Sequence, residues 1–119
     1  LFGLGARVIG ISVDEPAASL SASIDALIDR MAVTLGGRPD TLRGPHPIDV
    51  DDSQIGDGYG LPTAASTEAR TLVARTEGIV LDTVYESKAM AGLIARVRDG
   101  RFTKDQTVLF WHTGGLSAE

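Results

Sequence analysis

The sequence predicts an α/β fold with a largely parallel sheet, and three observations carry that prediction. Apolar, β-branched runs of strand length occur at both ends of the chain. Between them lie amphipathic stretches whose apolar residues recur at spacings of three and four. Glycines and prolines cluster where one kind of pattern gives way to the next. Read in order, the elements are strand, helix, helix, short strand, helix, strand. That alternation places parallel strands side by side, joined by helical crossovers.

The run A-R-V-I-G-I-S-V (6–13) reads as a buried strand bounded by Asp14 and Glu15. Pro16 suits the first turn of a helix. Leu20, Ile24, Leu27, Ile28 and Met31 form one apolar face of a helix over 17–35, which Gly36 and Gly37 end. Residues 36–47 carry three glycines and three prolines and read as a connecting loop. A short strand is expected at I-D-V-D-D (48–52), followed by the glycine-rich loop G-D-G-Y-G-L-P (56–62) around Tyr59. A second helix is expected over 63–77 with Ala69, Leu72, Val73 and Thr76 inward. G-I-V-L-D (78–82) is a short apolar piece. The third helix, 84–98, turns Met90, Leu93, Ile94 and Val97 to one side and ends at Asp99-Gly100. T-V-L-F-W (107–111) is the expected last strand. In open parallel sheets ligands bind beyond the carboxyl ends of the strands, which is where His112-Thr113-Gly114-Gly115 would lie.

Composition excludes several classes of function. A chain of 119 residues is long enough for one domain with a real core. The net charge of −5 argues against nucleic acid or an anionic membrane as an obligatory partner. With no cysteine, disulfide scaffolds, thiolate metal sites and thiol nucleophiles are excluded. No apolar run reaches the ~18 residues of a membrane span, and no signal peptide is recognisable, so a cytoplasmic protein is expected. The chain opens on Leu1 directly before a strand pattern and stops just after a glycine pair, which leads us to expect a piece of a longer protein.

Five stretches offer chemistry. Gly3-Leu4-Gly5 begins a dinucleotide fingerprint, but Val8 stands where the third glycine belongs and a strand follows rather than precedes it. His46, Asp49, Asp51 and Asp52 could hold a hard cation; a solvated acidic loop is preferred and no metal is expected. Glycines on both sides of Tyr59 permit a tight turn that projects the phenol, either packed over the loop or facing a ligand. In L-D-T-V-Y-E-S-K (81–88), Thr83 and Glu86 have capping-box spacing, so Glu86 has a structural role open to it; Lys88 is expected at the surface. Gly114-Gly115 would be an ordinary strand-to-helix turn, or a backbone closely approached by a ligand with the Thr113 hydroxyl beside it.

Four stretches of the chain together resemble one family. R-V-I-G-I-S-V, G-D-G-Y-G-L-P, E-G-I-V-L-D-T-V-Y-E-S-K-A-M-A-G-L-I and V-L-F-W-H-T-G-G, in that order, are similar to the C-terminal third of the family of D-cysteine desulfhydrase and 1-aminocyclopropane-1-carboxylate deaminase. The resemblance implies that residues 1–119 belong to the catalytic domain of a pyridoxal-phosphate enzyme with a three-layer, parallel-sheet fold of the tryptophan synthase β type (fold type II). It implies that Tyr59 and Tyr85 face the substrate, and that Glu86, Thr113 and Gly114 lie at the cofactor. In the deaminase branch a glutamate matching Glu86 lies near the pyridine nitrogen and leucine stands in the turn. In the desulfhydrase branch threonine replaces the glutamate and the turn reads H-T-G-G. This sequence has both Glu86 and Thr113, and Ser87 where glycine is usual.

The implied cofactor is pyridoxal 5′-phosphate and the implied substrate a small amino acid, with the full-length protein a homodimer. The family's Schiff-base lysine and phosphate loop lie upstream of the matching region, and Lys88 does not match that lysine, so the chain alone is expected to be inactive. H-T-G-G favours α,β-elimination from D-cysteine to pyruvate, ammonia and sulfide. Ring opening of the cyclopropane amino acid to 2-oxobutyrate and ammonia, and L-cysteate sulfo-lyase activity, are the alternatives. A non-catalytic α/β ligand-binding domain is the alternative of another class.

Overall fold

The computed structural model describes residues 5–43 and 46–114. Gly3, Leu4 and Gly115, which figured in two of the candidate motifs, lie outside the described residues. The element order is β1 (Ile9–Ile11), α1 (Ala17–Thr34), α2 (Pro39–Arg43), β2 (Asp49–Asp51), α3 (Ala64–Glu77) and α4 (Glu86–Arg98). β1 and β2 pair in parallel, with Ile9 opposite Asp49, Gly10 opposite Val50 and Ile11 opposite Asp51. The expected α/β class with a parallel sheet is therefore present, with two strands among the described residues.

The joint between β1 and α1 is fixed by polar groups. The Ala17 amide at the start of α1 donates to Asp52 Oδ2 at 2.8 Å, so a side chain just past β2 takes a donor that the helix itself cannot satisfy. α1 keeps its expected length and ends in Gly36, whose φ of 64° only glycine adopts readily. Its apolar face is covered unevenly: Ala32 is fully buried, while Leu27 and Met31 remain about half exposed. The expected loop at 36–47 contains α2, which opens with Pro39 and Asp40. Arg43 in its last turn pairs with Asp25 and Asp29, one helical turn apart on α1, at 3.3 and 2.7 Å.

α3 starts with a reciprocal capping box. Thr63 Oγ1 accepts from the Ser66 amide at 3.0 Å, and Ser66 Oγ accepts from the Thr63 amide at 2.9 Å. Gly78, left-handed at φ 69°, caps its other end. Its inward stripe is Ser66, Ala69 and Val73, whereas Leu72 and Thr76, expected inward, are exposed.

α4 packs on both α3 and β1. Its approach to β1 depends on Gly92, where a Cβ would lie 2.8 Å from Ile11 Cδ1. Arg96, whose side chain is only 12% exposed, reaches from α4 to Asp51 Oδ2 at 2.9 Å and Asp49 Oδ2 at 3.2 Å, tying the helix to β2. The buried face is Glu86, Ser87, Lys88, Ala91 and Gly92; Met90, Leu93 and Ile94 are partly buried and Val97 is exposed. Small and polar residues occupy this face because it meets a strand closely and a loop of backbone carbonyls, described below. The stretches 78–82 and 107–111 form no strand, and Leu109 and Trp111 are 79% and 77% exposed. The expected last strand is thus corrected: its residues suit a sheet but have no partner strand among the described residues.

Candidate functional site

The site is built on the first turn of α4. The expected Thr83–Glu86 capping box does not form. Asp82, one residue earlier and 6% exposed, supplies the cap instead. Its Oδ1 accepts from the amides of Val84 and Tyr85, both at 2.7 Å, and its Oδ2 from the amide of Glu86 at 2.9 Å. Burial pushes the Asp82 carboxyl up, but these three amides, helped by the nearby His112, outweigh it and hold the group below its ordinary value. A single carboxylate thus sets the direction of the peptides carrying Tyr85 and Glu86.

Glu86 has no capping duty and is directed inward. Its side chain is 4% exposed. Oε1 accepts from the Gly114 amide at 3.0 Å and lies 3.0 Å from His112 Nδ1. Oε2 is buried with no hydrogen-bond partner among the described residues. An ionised or hydrogen-bonding oxygen left alone in this way is costly unless a donor meets it. Thr113 is exposed and its hydroxyl bonds to none of the described residues. The turn therefore meets α4 through the Gly114 backbone and the His112 ring, and the Thr113 side chain stays out of that contact.

The second half of the site is a tyrosine pair. The hydroxyls of Tyr59 and Tyr85 hydrogen-bond each other, with the rings edge to face at a centroid distance of 5.9 Å and 63° between planes. Both rings are about half exposed. The bond to Tyr59 is the main reason the Tyr85 phenol is pushed above its ordinary value, with burial and the nearby Asp82 and Asp14 carboxylates adding to it. Gly56, Gly58 and Gly60 all have positive φ (67°, 149° and 74°), which gives the loop its tight course around Tyr59.

Lys88 anchors that loop, and its expected surface position is corrected. The residue is fully buried, and Nζ donates to the carbonyls of Ile55 at 2.7 Å and Gly58 at 3.1 Å. It stands one helical turn beyond Tyr85, so one helix carries both a tyrosine of the pair and the anchor for the loop of the other. The sequence offered one clue, since a lysine at i+3 from Tyr85 shares its side of the helix.

The structure thus joins Tyr59 to Tyr85 and Glu86 to Gly114, and the Tyr85–Glu86 peptide links the two pairs. The acidic candidates for a metal are otherwise engaged: Asp49 and Asp51 pair with Arg96, and Asp52 accepts from α1. No cluster of three or more possible metal ligands occurs among the described residues. Nor is any helix among them long and apolar enough to cross a membrane.

No family model matches the chain. Individual relatives do. The D-cysteine desulfhydrase of Salmonella typhi is 39% identical over 112 residues, which covers 94% of this chain and 33% of that protein. Over nearly its whole length the chain is similar to D-cysteine desulfhydrases. Desulfhydrases of Salmonella newport and Salmonella enteritidis match to the same extent. The chain spans about one-third of the length of these curated relatives. Glu86, Tyr59 and Tyr85 lie together at one end of α4, within the region similar to these desulfhydrases.

Proposed function

We propose that this chain forms one wall of a pyridoxal-phosphate site in a D-cysteine desulfhydrase-like lyase of fold type II, contributing the C-terminal third of its catalytic domain. The observation that carries this reading is Glu86: one oxygen held by the turn, the other buried and without a donor among the described residues. A protonated ring nitrogen is a donor of the kind that oxygen lacks, and opposite charge would keep the nitrogen protonated. When bound, the cofactor supplies an electron sink that stabilises negative charge on the amino acid's α-carbon. Gly114, through its amide, fixes the carboxylate. Thr113 is left as a second, weaker candidate on the same turn.

Tyr59 and Tyr85 are proposed to meet the substrate. Sharing a hydrogen bond, the pair can hold a proton at one phenolic oxygen and release it to a group that displaces the other. The raised Tyr85 phenol stays protonated at neutral pH, as suits a proton donor. The covalent anchor for the cofactor would come from the part of the protein beyond this chain. Lys88 is committed to two carbonyls, and Lys104 is exposed. We also propose a cytoplasmic, homodimeric full-length protein acting on a small amino acid.

The relatives' name and the threonine of H-T-G-G support D-cysteine as substrate, through elimination to pyruvate, ammonia and sulfide. Glu86 itself favours a second reading, because a glutamate at this place resembles the deaminase branch. Assaying the full-length protein with D-cysteine and with 1-aminocyclopropane-1-carboxylate separates the two. Sulfide with pyruvate is the expected result; 2-oxobutyrate from the cyclopropane substrate selects the second reading; turnover of neither overturns both.

A further inference from the structure

Lys88 reaches back along the chain to the loop that carries Tyr59. It is fully buried, and its Nζ donates to the carbonyls of Ile55 at 2.7 Å and Gly58 at 3.1 Å. A carbonyl oxygen only accepts, so the amine is the donor in both bonds whether or not it carries a charge. The Gly58 oxygen belongs to the peptide plane that also holds the Tyr59 nitrogen, and that plane is rigid. Fixing the oxygen therefore fixes the direction in which the chain enters Tyr59.

Little else in the loop fixes that direction. Tyr59 stands between Gly58 and Gly60, at φ 149° and 74°, residues that permit many backbone courses. The backbone bonds that shape the loop run from the Ile55 amide to the Asp52 carbonyl and from the Leu61 amide to the Gly58 carbonyl, and both are long at 3.3 Å. Gly56 lies too close to Thr63 Cγ2 for a side chain, which holds the start of the loop rather than Tyr59. The Tyr59 ring is half exposed, and its hydroxyl bonds to Tyr85. Tyr85 is the N-cap of α4 and Lys88 lies in its first turn, so the backbone hold on Tyr59 and the partner of its phenol come from one turn of one helix.

We infer that Lys88 is a positioning residue for Tyr59: by holding the Gly58–Tyr59 peptide from the first turn of α4, it sets the Tyr59 phenol against that of Tyr85. That the phenol pair serves a substrate rests on the proposed function above; its placement by Lys88 does not.

Full-length protein carrying Lys88→Met, Tyr59→Phe or both tests this. In the cofactor-free protein, carbon-13 NMR of tyrosine Cζ follows the Tyr85 phenol through its titration, and Tyr85→Phe identifies the signal. The bond to Tyr59 is the main cause that raises this phenol, and Asp82 and Asp14 stay in place in every variant. Tyr59→Phe should therefore move it down toward its ordinary value, and Lys88→Met should move it in the same direction. The two together should move it no further than Tyr59→Phe alone. A Tyr85 titration lowered in Tyr59→Phe but unchanged in Lys88→Met overturns the inference. Activity gives a second reading. Tyr59→Phe should lower kcat about a hundredfold or more. Lys88→Met should also lower kcat, yet cost less than about threefold once Tyr59 is already replaced, because it acts through that phenol. Losses that multiply overturn the inference and leave the proposed function standing. Turnover of neither substrate by the unsubstituted protein overturns the proposed function, and the titration then decides the role of Lys88 by itself. Should Lys88→Met fail to fold, a crystal structure of the unsubstituted full-length protein decides. Lys88 Nζ within about 3.2 Å of the Gly58 carbonyl, with the two phenols bonded, supports the inference; Nζ turned away while the phenols stay bonded overturns it.

Discussion

Removing the Asp82 carboxylate tests how the site is held. Asp82→Ala strips acceptors from three amides at once, those of Val84, Tyr85 and Glu86. Water can replace the acceptor at Tyr85, which is 47% exposed, but not at Glu86, which is 3% exposed. A lost N-cap costs about 1 kcal/mol and a buried donor left unsatisfied about 1–3 kcal/mol, so a loss of roughly 2–4 kcal/mol is expected. Asp82→Asn keeps one acceptor oxygen but turns an amide NH2 toward a backbone N–H, and should fall between. Urea unfolding at neutral pH measures both losses. The acid limb gives a second check. Because the folded-state carboxyl lies below its ordinary value near 3.8, the unfolded chain binds the proton more readily in that window. Asp82 therefore contributes its stability above 3.8 and loses it as pH falls through the folded-state value. That part of the acid dependence should be missing in Asp82→Asn. An Asp82→Ala protein within about 0.5 kcal/mol of the unsubstituted one would refute the capping role, since that is the scatter of ordinary surface substitutions.

Two further substitutions probe neighbouring contacts. Lys88→Met leaves the Ile55 and Gly58 carbonyls without their donor; a loss of about 1–3 kcal/mol is expected, with faster amide hydrogen exchange across 55–60, and unchanged exchange there would refute the anchoring role. Gly92→Ala places a methyl 2.8 Å from Ile11 Cδ1. Overpacking of about 1–3 kcal/mol should exceed the helix-propensity gain of at most ~1 kcal/mol. Adding Ile11→Val removes that methyl, so the double variant should be more stable than the sum of the single losses by at least ~0.5 kcal/mol.

The helices were legible because periodicity is local. α1, α3 and α4 fall within two residues of the stretches that spacing predicts, and β1 and β2 lie inside their expected runs. α2 was missed because three glycines and three prolines dominate 36–47, although Pro39-Asp40 is itself a helix-start signature. The strand pattern of 107–111 needs a neighbour to pair with, which a residue run cannot supply. Side-chain placement was harder. Spacing turns the apolar stripe of α4 inward, but its first turn buries Glu86, Ser87 and Lys88 because Asp82, the glycine loop and the His112 turn converge there. Thr83 and Asp82 are both plausible caps in sequence, and only the chain's course shows which one faces the amides. Local pattern brought Tyr59, Glu86 and Gly114 to notice and the resemblance added Tyr85 and the implied roles; the bonds joining them came from the structure. Asp82 and Lys88 carry no motif of their own and emerge only from distances, as does the approach of His112, the first residue of H-T-G-G, to Glu86.

The most direct measurement is a structure of the full-length protein with pyridoxal phosphate bound. A Glu86 carboxylate oxygen should lie about 2.7–2.9 Å from the ring nitrogen, the length of a charge-assisted hydrogen bond. A ring nitrogen bonded instead to the Thr113 hydroxyl, with Glu86 turned away, would contradict the site proposed for this chain.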